Sequence, residues 1–306
     1  MKKRIFISPL DWGLGHASRL IPLISELKEK GHFILLGTES QSAAVYKELF
    51  PEIQQITFKG YEIKYARTNP ELKLLFQILR IKWAIFNENF RLRKIVRNHG
   101  IDVVISDSRF GLRHKRTLNL ILSHQLNILY PQKWWLFGKL LNFSNRFLLN
   151  TFDAVLIPDD ENRWYSGLLS VNKSIKNQIF IGPLSRFSLL GKPIKKTYFF
   201  DLVFVLSGPE PQRTHFEELI LGQVQQTKYS ALIISGQPEN DSATQITSSI
   251  KKVPHLSAEE FADALVSAKV VISRSGYSSL MDYACLGIKQ VVLIPTPGQT
   301  EQEYLA

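Results

Sequence analysis

Short apolar runs alternate with helix-spaced segments along the whole chain, and no other feature restricts the fold as strongly. The runs "RIFISP", "HFILLGT", "QQITFK", "DVVISD", "LNLILSH" and "DAVLIP" are almost uninterrupted in their apolar character. Such runs suit a parallel sheet covered on both faces. Between the first two, Leu20, Leu23, Ile24 and Leu27 recur at helical spacing and Gly31 stops the helix. The pattern then restarts: "DLVFVLSG", a helix from about Pro211, "SALIISGQ", a helix, "VVISRSG", a helix and "QVVLIPT". Two successive βαβ systems predict an α/β protein of two doubly wound, Rossmann-like domains. The segment "IGPLSRFSLLGKPIKK", with its glycines, prolines and basic residues, reads as part of a linker over 181–198 between domains at 1–180 and 199–306.

A chain of 306 residues accommodates two domains of about 150 each, and 44 % hydrophobic residues supply a large core. No apolar run reaches the roughly 18 residues needed to cross a bilayer. The basic N-terminus leads into polar Asp11 with no small-residue cleavage site, so no signal peptide is read and a cytoplasmic location is expected. The single cysteine, Cys285, excludes an internal disulfide, and its apolar setting "LMDYACLG" predicts a buried thiol. Charge is uneven. Residues 1–150 carry 24 Lys/Arg against 11 Asp/Glu, whereas residues 151–306 carry 14 against 16. A basic surface on the first half alone would suit an anionic membrane, an anionic substrate or nucleic acid, and no nucleic-acid motif supports the last of these.

Glycine loops fall at strand ends in both halves: "WGLGH", "LSGPEPQR" and "SRSGYSS". Ligands of doubly wound sheets bind beyond the carboxyl ends of the strands, so these loops are the candidate site and are expected to face a common cleft. In "SRSGYSS", Gly276 opens a helix directly after a buried strand, where the N–H groups of Gly276, Ser278 and Ser279 would meet a phosphate. Asp282 follows six residues later, placed to accept hydrogen bonds from a ribose diol. A capped helix with a solvated aspartate would read the same way.

The block from Ser273 to Ala306 resembles the donor-binding region of GT-B glycosyltransferases, in particular the MurG-like branch of glycosyltransferase family 28. Arg274-Ser275-Gly276, Asp282, Pro295 and "GQTEQE" stand in that family's order. "GLGH" and "GPLSRF" are similar to its first glycine loop and its crossing between domains. The resemblance implies that Gly276, Ser278 and Ser279 hold a diphosphate, Asp282 a ribose, and Gln299, Gln302 and Glu303 the sugar hydroxyls. It sets Val253 to Leu256, including His255, near the base edge, and counts Arg274 and Ser275 among the donor-binding residues. Ser207 and Gly208 take the place of a second phosphate loop, where Arg213 supplies charge. It further implies a nucleotide-sugar donor such as UDP-GlcNAc, no cofactor, no metal, and an acceptor that is a glycan or lipid-linked, in the cell envelope. The chain stops at "EQEYLA", inside this block, and the family pattern implies C-terminal helices beyond it.

In that setting an inverting transfer needs a base at the acceptor hydroxyl. His16 is the candidate, with Asp107 at the end of "DVVISD" to orient it. Gly13 and Gly15 would let the chain pass close to the reacting groups. Arg19 reads as a surface cation, and His124 and Gln125 in "SHQLN" as lining of an acceptor site. Helix caps and a satisfied core histidine are the plainer alternatives. Aromatic and aliphatic residues interleave with Lys/Arg in 71–100 and in "QKWWLFGKLLNFSNRF", a pattern that suits either a protein peripheral to an anionic membrane or core helices with solvated basic faces. Other functions stay open on these residues: an epimerase of the same fold, a non-catalytic nucleotide-sugar binder, or an NAD enzyme using "GLGHAS" with Glu39, although Ser18 stands where a third glycine belongs.

Overall fold

The computed structural model describes residues 1–10, 14–60, 70–191, 199–208, 210–237 and 242–306. The chain divides into two compact units, Met1–Pro183 and Leu184–Ala306. In the first, β1 (Arg4–Ser8), α1 (Leu14–Glu29), β2 (Phe33–Thr38), α2 (Ser40–Leu49), β3 (Gln54–Thr57), α3 (Pro70–His99), β4 (Val103–Asp107), β5 (Leu118–Leu122), α4 (Trp135–Leu149), β6 (Ala154–Ile157) and β7 (Gln178–Phe180) follow in order. The strands form one sheet, β3-β2-β1-β4-β5-β6-β7, with every described pair parallel. The second unit holds β8 (Leu202–Val205), α5 (Gln212–Val224), β9 (Ala231–Ile234), β10 (Thr244–Thr247), β11 (Ile250–Val253), α6 (Ala258–Ser267), β12 (Val270–Ser273), α7 (Tyr277–Cys285), β13 (Val291–Leu293) and α8 (Thr300–Leu305). Its sheet runs β10-β11-β9-β8-β12-β13, with β10 antiparallel.

The near-continuous apolar runs become the buried central strands. Alternate residues of β8 face opposite ways, as the two-residue period of a strand requires. Val203 and Val205 pack with Leu265 of α6 and Tyr283 of α7, whereas Phe204 packs with Phe216, Ile220 and Val224 of α5. In the first sheet, Leu92 and Val96 of α3 cover Phe6, Leu35 and Val104. Leu149 of α4 covers Ile121 and Val155. Because β4 and β5 pair Ser106 with Ile121, and Ser106 shares a face with Val104, α3 and α4 lie on the same side of the sheet.

Three expectations change on this frame. Part of the segment read as a linker belongs to the second unit, since Phe187 sits in its core and Ser185 is buried, while 192–198 lie outside the described residues. Cys285 is exposed rather than buried, because α7 turns its Met281–Tyr283 stretch inward and ends one residue row later on the outer side. The β10–β11 hairpin and β7 carry no apolar run to announce them. β10 is largely exposed and polar, as an edge strand can be.

Gly138 of α4 is set against Tyr130 so closely that a Cβ would stand 2.2 Å from its ring carbons. Gly138→Ala is therefore expected to lower stability by about 1–2 kcal/mol in urea unfolding, overpacking outweighing the better helix propensity of alanine.

Candidate active site

In the first sheet the direction of connection reverses between β1 and β4, since β2 and β3 lie to one side and β5 to β7 to the other. The carboxyl ends of strands flanking such a switch point form the natural crevice of a doubly wound sheet. His16 and Arg19 enter it from the first turns of α1, Asp107 and Ser108 from the end of β4, and His124 from just beyond β5.

Asp107 is the hub. Its carboxylate is fully buried, and Arg19 grips it with two donors, Nε to Oδ2 at 3.0 Å and Nη2 to Oδ1. His16 Nδ1 lies 3.0 Å from Asp107 Oδ2 and 2.9 Å from Arg19 Nη2. One ring nitrogen cannot serve both neighbours. Donation from Nδ1–H to a carboxylate is charge-assisted, and Arg19 is already satisfied by Asp107 and by Ser108 Oγ at 3.4 Å. The proton therefore belongs on Nδ1, which leaves Nε2 with its lone pair. The His16 side chain is 19 % exposed whereas Asp107 is not exposed at all, so of the two only the imidazole reaches solvent.

The charges follow from this packing. Burial disfavours ionised Asp107, but Arg19 and His16 outweigh it and hold the carboxyl well below the usual range. Burial lowers the His16 pKa, Asp107 pulls against that, and Arg19 and His124 push the same way as burial. The imidazole is thus neutral at neutral pH. Arg19 is only 2 % exposed, which corrects the reading of a surface cation: it is the counterion of Asp107 and also approaches His124 Nδ1 at 3.3 Å. Gly15 stands in the first turn of α1, while Gly13 lies outside the described residues. Gln125 is half-buried, its carbonyl accepting from Asn145 Nδ2 at 3.0 Å. Glu39, the NAD ribose candidate, accepts the Gly60 N–H at 2.8 Å and caps α2.

A second buried pair braces the same strand ends. Arg109 donates to Glu88 of α3, to Ser8 Oγ at the end of β1, and to the carbonyls of Phe58 and Lys59 after β3. Nothing in the sequence singled out this pair, because a lone Arg and a lone Glu 21 residues apart form no motif.

In the second unit most of the predicted donor residues follow the carboxyl ends of β8, β12 and β13, whereas His255 and Leu256 follow β11, which β9 separates from β8. Gly276 is the N-cap of α7, with no side chain capping it, and Ser278 and Ser279 are in the first turn. A Cβ at Gly276 would meet Ser279 Oγ only at 3.7 Å, so space rather than strain surrounds this residue. Ser207 and Gly208 form an exposed turn after β8, Gly208 at φ +107°. Asp282 is buried, accepting from Ser185 Oγ at 2.6 Å with Arg186 Nε 3.7 Å away. Burial lifts its carboxyl above the ordinary range, and Arg186 and Ser185 act against that. His255 is exposed, and half-buried Leu256 packs on the core.

Several other predicted contacts are taken up by the fold itself. Arg274 is buried, donates to the Pro295 carbonyl at 2.9 Å and lies 4.0 Å over the Phe216 ring. Ser275 Oγ donates to the Gln302 carbonyl at 2.7 Å. The Gln302 amide accepts from Thr296 N–H at 2.8 Å and donates to Gln299 Oε1 at 2.7 Å, and Glu303 accepts from Gly298 N–H at 3.3 Å. These bonds tie the loops after β12 and β13 together. Arg213 is neutralised by Glu210 and Glu217, each at 2.6 Å, so it does not bring net charge to the β8 loop. The missed partners are Ser185 and Arg186, hidden in what reads as a linker.

Comparison with known proteins agrees with this architecture. Residues 202–306 match the glycosyltransferase family 28 C-terminal domain. An uncharacterized glycosyltransferase of Methanosarcina acetivorans is 26 % identical over 320 residues, covering 99 % of this chain and 82 % of the relative. Among solved structures, the glycotransferase of kitacinnamycin superposes with a TM-score of 0.65 at 14 % identity, covering 99 % of this chain and 83 % of that one. Arabidopsis thaliana UGT89C1, complexed with UDP-L-rhamnose, gives 0.63 at 10 %, covering 100 % and 82 %. The two α/β domains thus have the GT-B fold of these glycosyltransferase structures. The match to family 28 is carried by the second unit, whose residues 202–306 correspond to that family's C-terminal domain.

Proposed function

We propose that the protein transfers a sugar from a nucleoside diphosphate sugar to an acceptor hydroxyl with inversion, using His16 as the base and no metal ion. What carries this reading is the His16–Asp107–Arg19 arrangement at the switch point, a neutral imidazole with its Nδ1 proton fixed by a buried carboxylate. Nε2 of His16 takes the acceptor proton as the acceptor oxygen bonds to the anomeric carbon. The bond from that carbon to the phosphate oxygen breaks, and the nucleoside diphosphate leaves with the electron pair. The N-terminus of α7 at Gly276 receives the diphosphate charge, and Asp282 contacts the ribose. A uridine nucleotide is the preferred donor, in keeping with the UDP-sugar bound by the plant neighbour. The acceptor is a glycan or a lipid-linked sugar on the cytoplasmic side of the cell envelope.

Calorimetric titration with UDP, GDP and dTDP tests the donor half. One nucleotide, expected to be UDP, should bind, and Asp282→Ala should weaken it at least ten-fold without a comparable change in melting temperature. A folded protein that binds none of the three would overturn the reading.

A further inference from the structure

Behind the first turn of α7 a buried hydroxyl stands without a partner. Tyr283 is 4 % exposed, and its Oη completes no hydrogen bond among the described residues. The ring packs in the core with Val203 and Val205 of β8, Leu265 of α6 and Val271 of β12, so the phenol cannot swing out to water. An unpaired hydroxyl in such a place costs stability. Phenylalanine would fill the same core without that cost, so the oxygen calls for a reason.

Its position supplies one. Long side chains on a helix lean toward the N-terminus and meet the residue four positions earlier. For Tyr283 that residue is Ser279, in the first turn of α7. Burial pushes the phenol up, the hydroxyls of Ser273 and Ser279 that face it pull against that, and the Asp282 carboxylate adds to burial. The phenol therefore stays protonated at neutral pH and acts as a donor. Ser273, the last residue of β12, is buried and gives its own proton to the Arg274 carbonyl at 3.0 Å. Ser279 is only half-buried. Its Oγ stands 3.7 Å from the place of a Cβ on Gly276, beside a helix start that no side chain caps. Of the two serines, Ser279 alone is set to carry an effect of the phenol outward.

We infer that Tyr283 is a positioning residue of the donor site: its phenol donates to Ser279 Oγ from the core side and so turns the Ser279 O–H outward, as a donor to the diphosphate at the start of α7. A serine hydroxyl has one proton on a free rotor. When Oγ accepts from Tyr283, that proton is directed away from the core. Linked hydroxyls polarise one another, so the outer bond is strengthened by the inner one. The inference rests on the reading of α7 as the diphosphate site and adds a residue that never touches the ligand.

Calorimetry of Tyr283→Phe on the full chain tests it, with UDP, or whichever of GDP and dTDP binds instead, and with the matching nucleoside. The variant should bind the diphosphate about five-fold more weakly, the scale of one hydrogen bond, and the nucleoside as well as wild type does. Its melting temperature should stay level or rise, because the oxygen removed was unpaired. In a Ser279→Ala background the same exchange should leave diphosphate affinity unchanged, since the phenol acts only through that hydroxyl. A lower melting temperature with nucleoside and diphosphate weakened alike would mark a packing role and overturn the inference. So would a Tyr283→Phe variant that binds the diphosphate as wild type does, or a loss that persists without the Ser279 hydroxyl. Those outcomes leave the donor site standing. A wild type that binds none of the three diphosphates would overturn the donor reading and this inference together.

Discussion

Replacing His16 by alanine should lower kcat by about 10²–10⁴ and leave nucleotide binding intact, because general-base catalysis contributes on that scale. The binding arm matters: donor contacts are assigned to the second unit, and His16 belongs to the first. The measurement is label transfer from the nucleotide-sugar found by titration into lipid and glycan extracts, alongside calorimetry of the same variant. The pH profile supplies an independent check. A base must be neutral to act, so the rate should fall as pH drops through the His16 pKa. Burial, against the pull of Asp107, sets that pKa below its ordinary value of 6.5. The acid limb should accordingly lie below about 6.5 and vanish in the alanine variant. A variant with unchanged kcat would remove His16 from the chemistry.

Breaking the Arg109–Glu88 pair should produce the largest loss of stability in the first unit. Arg109 is 1 % exposed and Glu88 2 %, and the guanidinium also holds the chain after β1 and β3. Removing one partner leaves a buried charge uncompensated, which costs about 3–5 kcal/mol. Glu88→Gln keeps the shape and a hydrogen-bond acceptor but strands the cation, so denaturant unfolding should shift by that amount. Arg109→Met with Glu88→Leu removes both charges and should recover part of the loss. If Glu88→Gln alone cost less than about 1 kcal/mol, the pair would not be what braces the strand ends.

The central strands were legible in the sequence because burial on both faces leaves an apolar run that nothing else produces. β1, β2, β4, β5, β6, β8, β9 and β12 all carry one. Edge elements escape that logic, and the β10–β11 hairpin, half polar and partly exposed, left no trace to read. Among site residues, spacing picked out His16 and Asp107 as strand-end and helix-start groups, since topology sends such positions to one rim. Spacing could not say which way Arg19 points: a cation one turn along a helix looks the same in sequence whether it meets water or a buried carboxylate. The same blindness hid the committed hydrogen bonds of Arg274 and Ser275, whose partners come from other loops, whereas Glu217 four residues after Arg213 on one helix was readable as its partner. In α4, the interleaving of aromatic and basic residues was visible, whereas which side faced outward needed the fold.

In the proposed reaction the setting of His16 also governs how the base resets. At rest Asp107 and Arg19 cancel, and the imidazole adds no charge. Once it has taken a proton the cluster carries one surplus positive charge, in a largely buried corner beside Arg19 and His124. The forces that keep the ring ready to accept a proton are the forces that expel it afterwards. Recovery of the free base should therefore be favoured at neutral pH.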